Sequence, residues 1–507
     1  MTVKSQGPNP QNPKSKNQIW DLGFVELGFV VGLTALVIMR SYVFVFVPGA
    51  HFDSDQAVTG LMAKHLAEGR AFPVFWYGQT YMLGVEAWLA APLMAIAGAS
   101  VWALKLPLLG MNLAIAALLF AGFTREGLAP ARAAVATLFF VLVPPITAAH
   151  FLTANGGNVE PAFYVLLIWF LRRRPIAMGI VLGIGFLNRE FTIYGLLALL
   201  LLDAWDRRLF RRDAVVRYGI ALGSAAAVWV VFMGLRSVSS AAGPGTSMAD
   251  LSAQLAPNNI AQVIQRLCLN PAAIAAGAKS IVTVHWPELF GLESQPLTDF
   301  GIESAGRQGF PGAAWLLVPA LLIPVVRLAT RRSARPAFPS YLVVVATLSV
   351  AGYLVGRCGV IDFYTMRYEL LSVLGAAGLA AWYLLREESR VVRTLWLACC
   401  AVMFAVWVTA HVRLIEEYAT RPPVPLKAEL IQALETRGVR YAYADYWTAY
   451  YVTFMTRERI IVASDAVVKV RTHNTVVDAH RAEAIRISRR PCDGGEQLTA
   501  AFWACRP

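Results

Sequence analysis

The sequence predicts an α-helical polytopic membrane protein, about eleven transmembrane helices with a small α/β domain at the C-terminal end. Three observations predict it. The 507 residues are 57% hydrophobic and only 15% charged, with a mean hydropathy of +0.53, where a soluble chain carries roughly a quarter charged residues. The apolar residues come in blocks, such as Leu22 to Val47, Val215 to Leu235 and Leu395 to His411, without the regular polar face of an amphipathic helix. Between the blocks lie short basic clusters: Lys14 and Lys16, Arg125 and Arg132, Arg172 to Arg174, Arg207 to Arg217, Arg327 to Arg335, and Arg386 to Arg393. Lys and Arg resist translocation, so such clusters mark cytoplasmic loops. The formal net charge of +13 is thus topological and scattered, and forms no patch for nucleic acid.

Residues 1–21 read as a polar cytoplasmic tail. No small-residue cleavage site follows a short apolar core, so the first span is expected to stay uncleaved. The expected spans are approximately 22–48, 101–122, 133–149, 159–171, 176–188, 190–203, 214–235, 312–328, 339–356, 368–385 and 394–412, together a transmembrane domain over 22–412. The two short spans flanking Asn188-Arg189-Glu190 lie between basic loops that must share a side, which favours a hairpin, fully crossing or re-entrant. With the N-terminus cytoplasmic, the odd count puts three long segments on the extracytoplasmic face. They are 49–100, 237–311 and the tail 413–507. In the tail, Leu426–Thr436 reads as an amphipathic helix, and Val439–Ala442 and Arg459–Ala463 as strands, hence the α/β domain. Cys492 and Cys505 can bridge there if the tail meets an oxidising compartment, whereas Cys399 and Cys400 sit inside an apolar run. No internal repeat or inverted pair of broken helices points to a transporter.

The outer segments hold the residues that can carry chemistry. Asp53 and Asp55 follow the first span, in His51-Phe52-Asp53-Ser54-Asp55-Gln56-Ala57. One acid can cap the next helix, and an acid at the bilayer edge can also act as a general base. Phe75-Trp76-Tyr77-Gly78-Gln79-Thr80-Tyr81, with Glu86 beyond it, suits the headgroup level. It also suits a sugar- or lipid-contacting wall in which Tyr77, Tyr81, Gln79 and Glu86 offer contacts. Arg189, Arg236, Arg307, Arg357 and Arg367 fall at outer span ends, where a guanidinium can hold phosphate or snorkel to headgroups. Glu160 and Glu190 beside short helices can orient those arginines. His150, His285 and Glu288 lack the spacing of a metal motif.

These stretches resemble the polyprenyl-phosphate-sugar-dependent membrane glycosyltransferases of the C-type (GT-C) superfold, which include protein O-mannosyltransferases and lipid A aminoarabinose transferases. The shared features are the acidic pair after the first span, the aromatic-Tyr-Gly-Gln-x-Tyr run and the following Glu. Partial matches are Gly156-Gly157-Asn158-Val159-Glu160, Gly185-Phe186-Leu187-Asn188-Arg189-Glu190 and Arg367-Tyr368-Glu369-Leu370-Leu371, the last without the family's proline. The resemblance covers about residues 20–412 and implies a GT-C-like fold with Asp55 as the catalytic acid. It implies transfer of a sugar from a polyprenyl-phosphate donor to a glycan, lipid or protein acceptor. The expected place is the extracytoplasmic face of a bacterial inner membrane. Gln56 stands where a second acid is often found, so a divalent metal is left open. A polysaccharide polymerase or ligase uses similar donors and is the nearer rival. A secondary transporter or a non-enzymatic membrane protein fits the span-end charges less well.

Overall fold

The computed structural model describes residues 23–79, 81–248, 268, 270–291, 315–330, 335–356, 363–423 and 425–506. The expected N-terminal tail, Arg307, Arg357 and much of 237–311 lie outside the described residues. The first ten helices are α1 (Phe24–Phe46), α2 (Ser54–Ala67), α3 (Val85–Ala97), α4 (Val101–Arg125), α5 (Pro130–Val141), α6 (Pro145–His150), α7 (Glu160–Leu171), α8 (Pro175–Asn188), α9 (Ile193–Trp205) and α10 (Arg212–Leu235). Further helices span Leu317–Thr330, Ala337–Gly356, Ser372–Arg386 and Arg390–Thr420.

Each apolar segment read as a span contains a helix. Five among the described residues are long and apolar enough to cross a membrane: Phe24–Phe46, Val101–Arg125, Arg212–Val238, Ala337–Gly356 and Arg390–Thr420. Three boundaries differ from the expectation. The block 133–149 is two helices, α5 and α6, because Pro144 and Pro145 supply no backbone donor where the ladder would continue. The apolar helix α3 stands inside the segment 49–100. The last long helix runs on to Thr420, past the span end expected at 412.

Small residues set the closest packing. Gly179 and Gly183 of α8 face Ala221, Ser224 and Val228 of α10, where an added Cβ would lie 2.2 Å from the Ala221 carbonyl oxygen. Such contacts replace hydrophobic drive between helices in lipid. α8 therefore packs along α10, while α9 packs on α7 and the Ala337–Gly356 helix. The two helices flanking Arg189 splay apart instead of packing on each other. Inside α1, buried Arg40 donates to the Phe140 carbonyl and to Asn112 Oδ1, each at 2.6 Å. That charge lies mid-helix, where the sequence pattern had placed none of importance, and it ties α1 to α4 and α5.

The C-terminal domain holds a five-stranded sheet of order β2-β1-β3-β5-β4, with β1 (Tyr441–Ala444), β2 (Ile461–Ser464), β3 (Ile485–Ser488), β4 (Glu496–Thr499) and β5 (Phe502–Cys505). β1 pairs in parallel with β2 and β3, and β5 is antiparallel to β3 and β4. The expected helix Leu426–Thr436 is present. β1 starts two residues later than expected because Gly438, at φ +67°, closes that helix with the Val439 amide on the Leu434 carbonyl. Cys492 and Cys505 form a disulfide, with Cα atoms 6.0 Å apart. The domain docks on α2 through the helix Tyr446–Met455. Gly60 of α2 meets the Phe454 ring, and Phe52 packs on Tyr451 and Phe454.

Candidate active site

The N-terminus of α2 organises the site. Asp53 is the N-cap, its Oδ1 accepting from the Gln56 amide at 2.9 Å. Ahead of it His51 takes a left-handed conformation, φ +47°, and its carbonyl accepts from Gln56 Nε2 at 3.0 Å and Lys105 Nζ at 2.9 Å. Gln56 Oε1 accepts from the Ala154 amide at 3.4 Å, which joins α2 to the segment before α7. Capping leaves Asp53 occupied and Asp55, one position into the helix, half-buried and facing outward from it.

Asp55 receives a hydrogen bond from the C-terminal domain. The Tyr446 hydroxyl donates to Asp55 Oδ1 at 2.5 Å, while Ser54 Oγ donates to the Trp447 carbonyl at 2.9 Å. Burial and the adjoining carboxylate push the Tyr446 hydroxyl far above the ordinary phenol range, so it remains a donor. Two cations lie within electrostatic reach of Asp55: Arg367 and Lys469. Lys469 Nζ sits 4.8 Å from the centre of the Trp76 ring. Gly78, at φ +72°, lets its stem pass, since an added Cβ would lie 2.8 Å from Lys469 Cδ.

A second set continues from there. Glu86 accepts from the amides of Gly156 at 2.8 Å and Gly157 at 3.5 Å. Burial first, and then neighbouring Glu160, hold the Glu86 carboxyl well above the usual range. Glu160 is fully buried beside Glu86, whose raised carboxyl keeps its proton and can donate it to Glu160. Arg189 lies near Glu160 and 5.6 Å from the Tyr368 ring centre, which Arg367 also approaches, at 5.3 Å. The Nε atoms of both arginines are buried without a partner among the described residues. Two guanidiniums around one tyrosine ring, each with a donor to spare, suit an anion.

Gly157 is the tightest point of this set. At φ +104° its position would bring an alanine Cβ within 2.8 Å of Arg189 Cβ. Gly157→Ala is expected to cost about 1–3 kcal/mol of stability and to displace Arg189. Thermal unfolding and the KM for the donor check this, and an unchanged KM would show that Arg189 does not depend on this glycine.

The remaining candidates divide. Gln79 is half-buried, and its Oε1 has no partner among the described residues. Tyr81 is 56% exposed, and Glu190 is exposed on the 3-10 turn Glu190–Thr192. Tyr77 faces the interior, 0% exposed, with its hydroxyl 3.1 Å from His65 Nδ1. His150 stacks edge-on to His51, and His285 Nε2 lies 3.0 Å from Thr365 Oγ1. Tyr446 and Lys469 escaped the sequence reading as partners of Asp55, for nothing in a linear pattern joins Asp55 to Tyr446, 391 residues on, or to Lys469 beyond it.

Among the described residues, one group brings metal-ligand types together: His65, Glu458 and His473, with ligand atoms within 4.8 Å of one another. It fits a cation poorly. Glu458 already accepts from Lys64 at 2.5 Å and from Arg70 at 2.7 Å, so an added ion would face two resident positive charges. The group reads as a carboxylate-centred latch between α2 and the C-terminal domain.

No family model matches this sequence, and no curated protein matches it. Solved structures do match its fold. ArnT from Cupriavidus metallidurans bound to undecaprenyl phosphate superposes with a TM-score of 0.57 at 13% identity, over 94% of this chain and 98% of that one. The fold is that of the C-type membrane glycosyltransferases. The oligosaccharyltransferase of Archaeoglobus fulgidus, in its apo form, matches with a TM-score of 0.52 at 12% identity, over 93% of this chain and 70% of that one. The same archaeal enzyme with an inhibitory peptide and a dolichol-phosphate matches at 0.51 and 11% identity, over 92% and 69%. With the five apolar helices, this fold is that of an integral membrane protein.

Proposed function

We propose that this protein transfers a glycosyl group from a polyprenyl-phosphate sugar to a hydroxyl acceptor on the extracytoplasmic face. The observation that carries the proposal is Asp55, held at one oxygen by Tyr446 and faced by Arg367 and Lys469. Its free edge can accept a proton from an acceptor hydroxyl, and the arginines can take the charge that develops on the leaving phosphate.

The step is a single displacement. The acceptor oxygen bonds to the anomeric carbon as the bond from that carbon to the phosphate oxygen breaks. The hydroxyl proton passes to Asp55, and polyprenyl phosphate leaves with Arg367 and Arg189 on its oxygens. Attack opposite the leaving group inverts the anomeric centre. Glu160, Glu86 and Gln79 offer acceptors and donors for sugar hydroxyls, and Tyr368 holds both arginines. Asp53 caps α2 and aims Asp55. Tyr81 and Glu190 lie at the exposed margin, and Tyr77 supports α2 from inside.

An acceptor can approach along a groove of about 570 Å³ beside Tyr446, lined by Asp445, Trp447, Asp465 and Arg486 at the carboxyl ends of the parallel strands. Ligands favour that edge of an open α/β sheet. The disulfide Cys492–Cys505 fits an oxidising compartment, which supports placing this face outside the cytoplasm of a bacterial inner membrane. The structures bound to undecaprenyl phosphate and dolichol-phosphate support the donor class. A divalent metal is not needed for the step as written.

Arg367→Gln is expected to weaken binding of donor and of polyprenyl phosphate by about ten- to a hundredfold, the loss of one charge-assisted contact. The KM for the donor and inhibition by free polyprenyl phosphate measure it. Inhibition at the wild-type level would remove Arg367 from the phosphate site. Incubating the purified protein with donors of this class and an acceptor mixture tests the function itself.

A further inference from the structure

At the other end of the bundle from Asp55 lies a cavity of about 410 Å³. It is walled by the ends of α7 and α9, the start of α10 and the start of the Ala337–Gly356 helix. α7 carries Glu160 at one end and Arg172 just beyond the other, about 18 Å apart along the axis. The cavity is therefore separate from the transfer site and does not depend on the function proposed for it.

Six arginines and three aspartates line this space, an excess of three positive charges. Half of the arginines are spent on the wall. Arg217 pairs with Asp203 at 2.5 Å, where the Tyr218 hydroxyl also donates, at 2.7 Å. Arg208 pairs with Asp206, and Arg335 lies 3.3 Å from Asp206 and 3.8 Å from the Trp205 ring centre. Arg172, Arg173 and Arg211 make no ion pair among the described residues. Glu126, the acid whose field reaches Arg172, is taken up by the amides of Ala337 and Phe338, each at 3.0 Å. Ser340, 4% exposed, lines the same cavity, and its Oγ has no hydrogen-bond partner among the described residues.

Retention of arginine on one side of a membrane accounts for the number of charges. It does not account for their convergence on a walled cavity with an unpartnered buried hydroxyl. The surroundings are those of a bilayer edge: Trp205 and Phe210 are 69% and 90% exposed, and Val215 and Val216 of α10 are more than half exposed.

We propose that this cavity binds a phosphate-bearing group, supplied by the headgroup of an anionic lipid, with Arg172, Arg173 and Arg211 on the phosphate oxygens and Ser340 donating its hydroxyl. Guanidinium forks match phosphate oxygens, and basic pockets between spans suit diphosphatidyl and other anionic headgroups.

The test uses the full-length protein in zwitterionic detergent, titrated separately with cardiolipin, phosphatidylcholine and inorganic phosphate and read by native mass spectrometry. Cardiolipin is expected to bind and phosphatidylcholine not. Arg172→Gln is expected to weaken cardiolipin about tenfold or more. Arg172 also stacks on Trp169, 3.9 Å from the ring centre, so the double variant Arg173→Gln/Arg211→Gln serves as a second probe that leaves that contact intact. Inorganic phosphate binding with the same arginine dependence would support the site and assign it to a soluble source. Equal cardiolipin binding by the wild type and both variants, or no preference for cardiolipin over phosphatidylcholine, would overturn the proposal.

Discussion

Replacing Asp55 with Asn is expected to lower turnover by about 10²–10⁴-fold while the protein stays folded. Asn keeps an oxygen to accept from Tyr446, so the contact between α2 and the C-terminal domain survives. What it lacks is the capacity to take the acceptor proton. Donor binding depends on the arginines around Tyr368 and should change little. The expected pattern is therefore a fall in kcat with a near-constant KM for the donor, as for a group that acts in the transition state. Single-turnover assays with a matched thermal-unfolding profile separate this from misfolding. Near-normal turnover in Asp55→Asn would sink the assignment of the base.

Removal of Glu458 is expected to have the largest effect on stability. This carboxylate joins four side chains at the seam between α2 and the C-terminal domain. Lys64 and Arg70 reach it from the α2 side, and the Nε2 atoms of His65 and His473 lie 3.0 Å from its Oε1. The Tyr77 hydroxyl at His65 Nδ1 fits the tautomer in which Nε2 donates. Glu458 and Arg457 both take left-handed backbone, at φ +65° and +55°, a strain that the latch must hold. Glu458→Ala leaves these cations and imidazoles facing one another, and is expected to cost about 3–5 kcal/mol.

The same latch gives wild-type stability a pH dependence of defined sign. Burial alone would raise the Glu458 carboxyl, but hydrogen bonds from His473 and His65 hold it well below its ordinary value of 4.5. A carboxylate depressed on folding stabilises above the unfolded value and loses that contribution as pH falls below it. Burial lowers His65 from 6.5, despite the opposing pull of Glu458, so protonation of His65 also favours the unfolded chain. The contribution of Glu458 is expected to be level above pH 4.5 and to fall below it, and that of His65 to fall below pH 6.5, while the raised Glu86 carboxyl acts in the opposite direction. Thermal unfolding of the wild type and of Glu458→Gln across this range measures it, and a difference between the two that does not shrink below pH 4.5 would contradict the latch.

The fold was legible in the sequence where one physical rule acted alone. Blocks of apolar residues placed the helices, because lipid imposes that condition locally. Boundaries slipped where a second rule intervened, as at Pro144-Pro145 between α5 and α6 and at Gly438 before β1. The site was half legible. Glu86, Glu160, Arg189, Tyr368 and Arg367 stood out as polar residues beside apolar helices, and they converge. Tyr77 stood out for the same reason and faces inward. Its hydroxyl is held at His65 Nδ1, inside the contact between α2 and the C-terminal domain. The pairing of Tyr446 and Lys469 with Asp55, and of Glu458 and His473 with His65, was out of reach, because only the docking of the C-terminal domain on α2 brings them together.

The most direct test of glycosyl transfer is release of polyprenyl phosphate. The purified protein would be incubated with a panel of polyprenyl-phosphate sugars and a cell-envelope extract as acceptor, and the freed lipid phosphate quantified. Release from one donor class is expected, dependent on the acceptor and absent in Asp55→Asn. No release from any donor, or release that Asp55→Asn leaves unchanged, would contradict it.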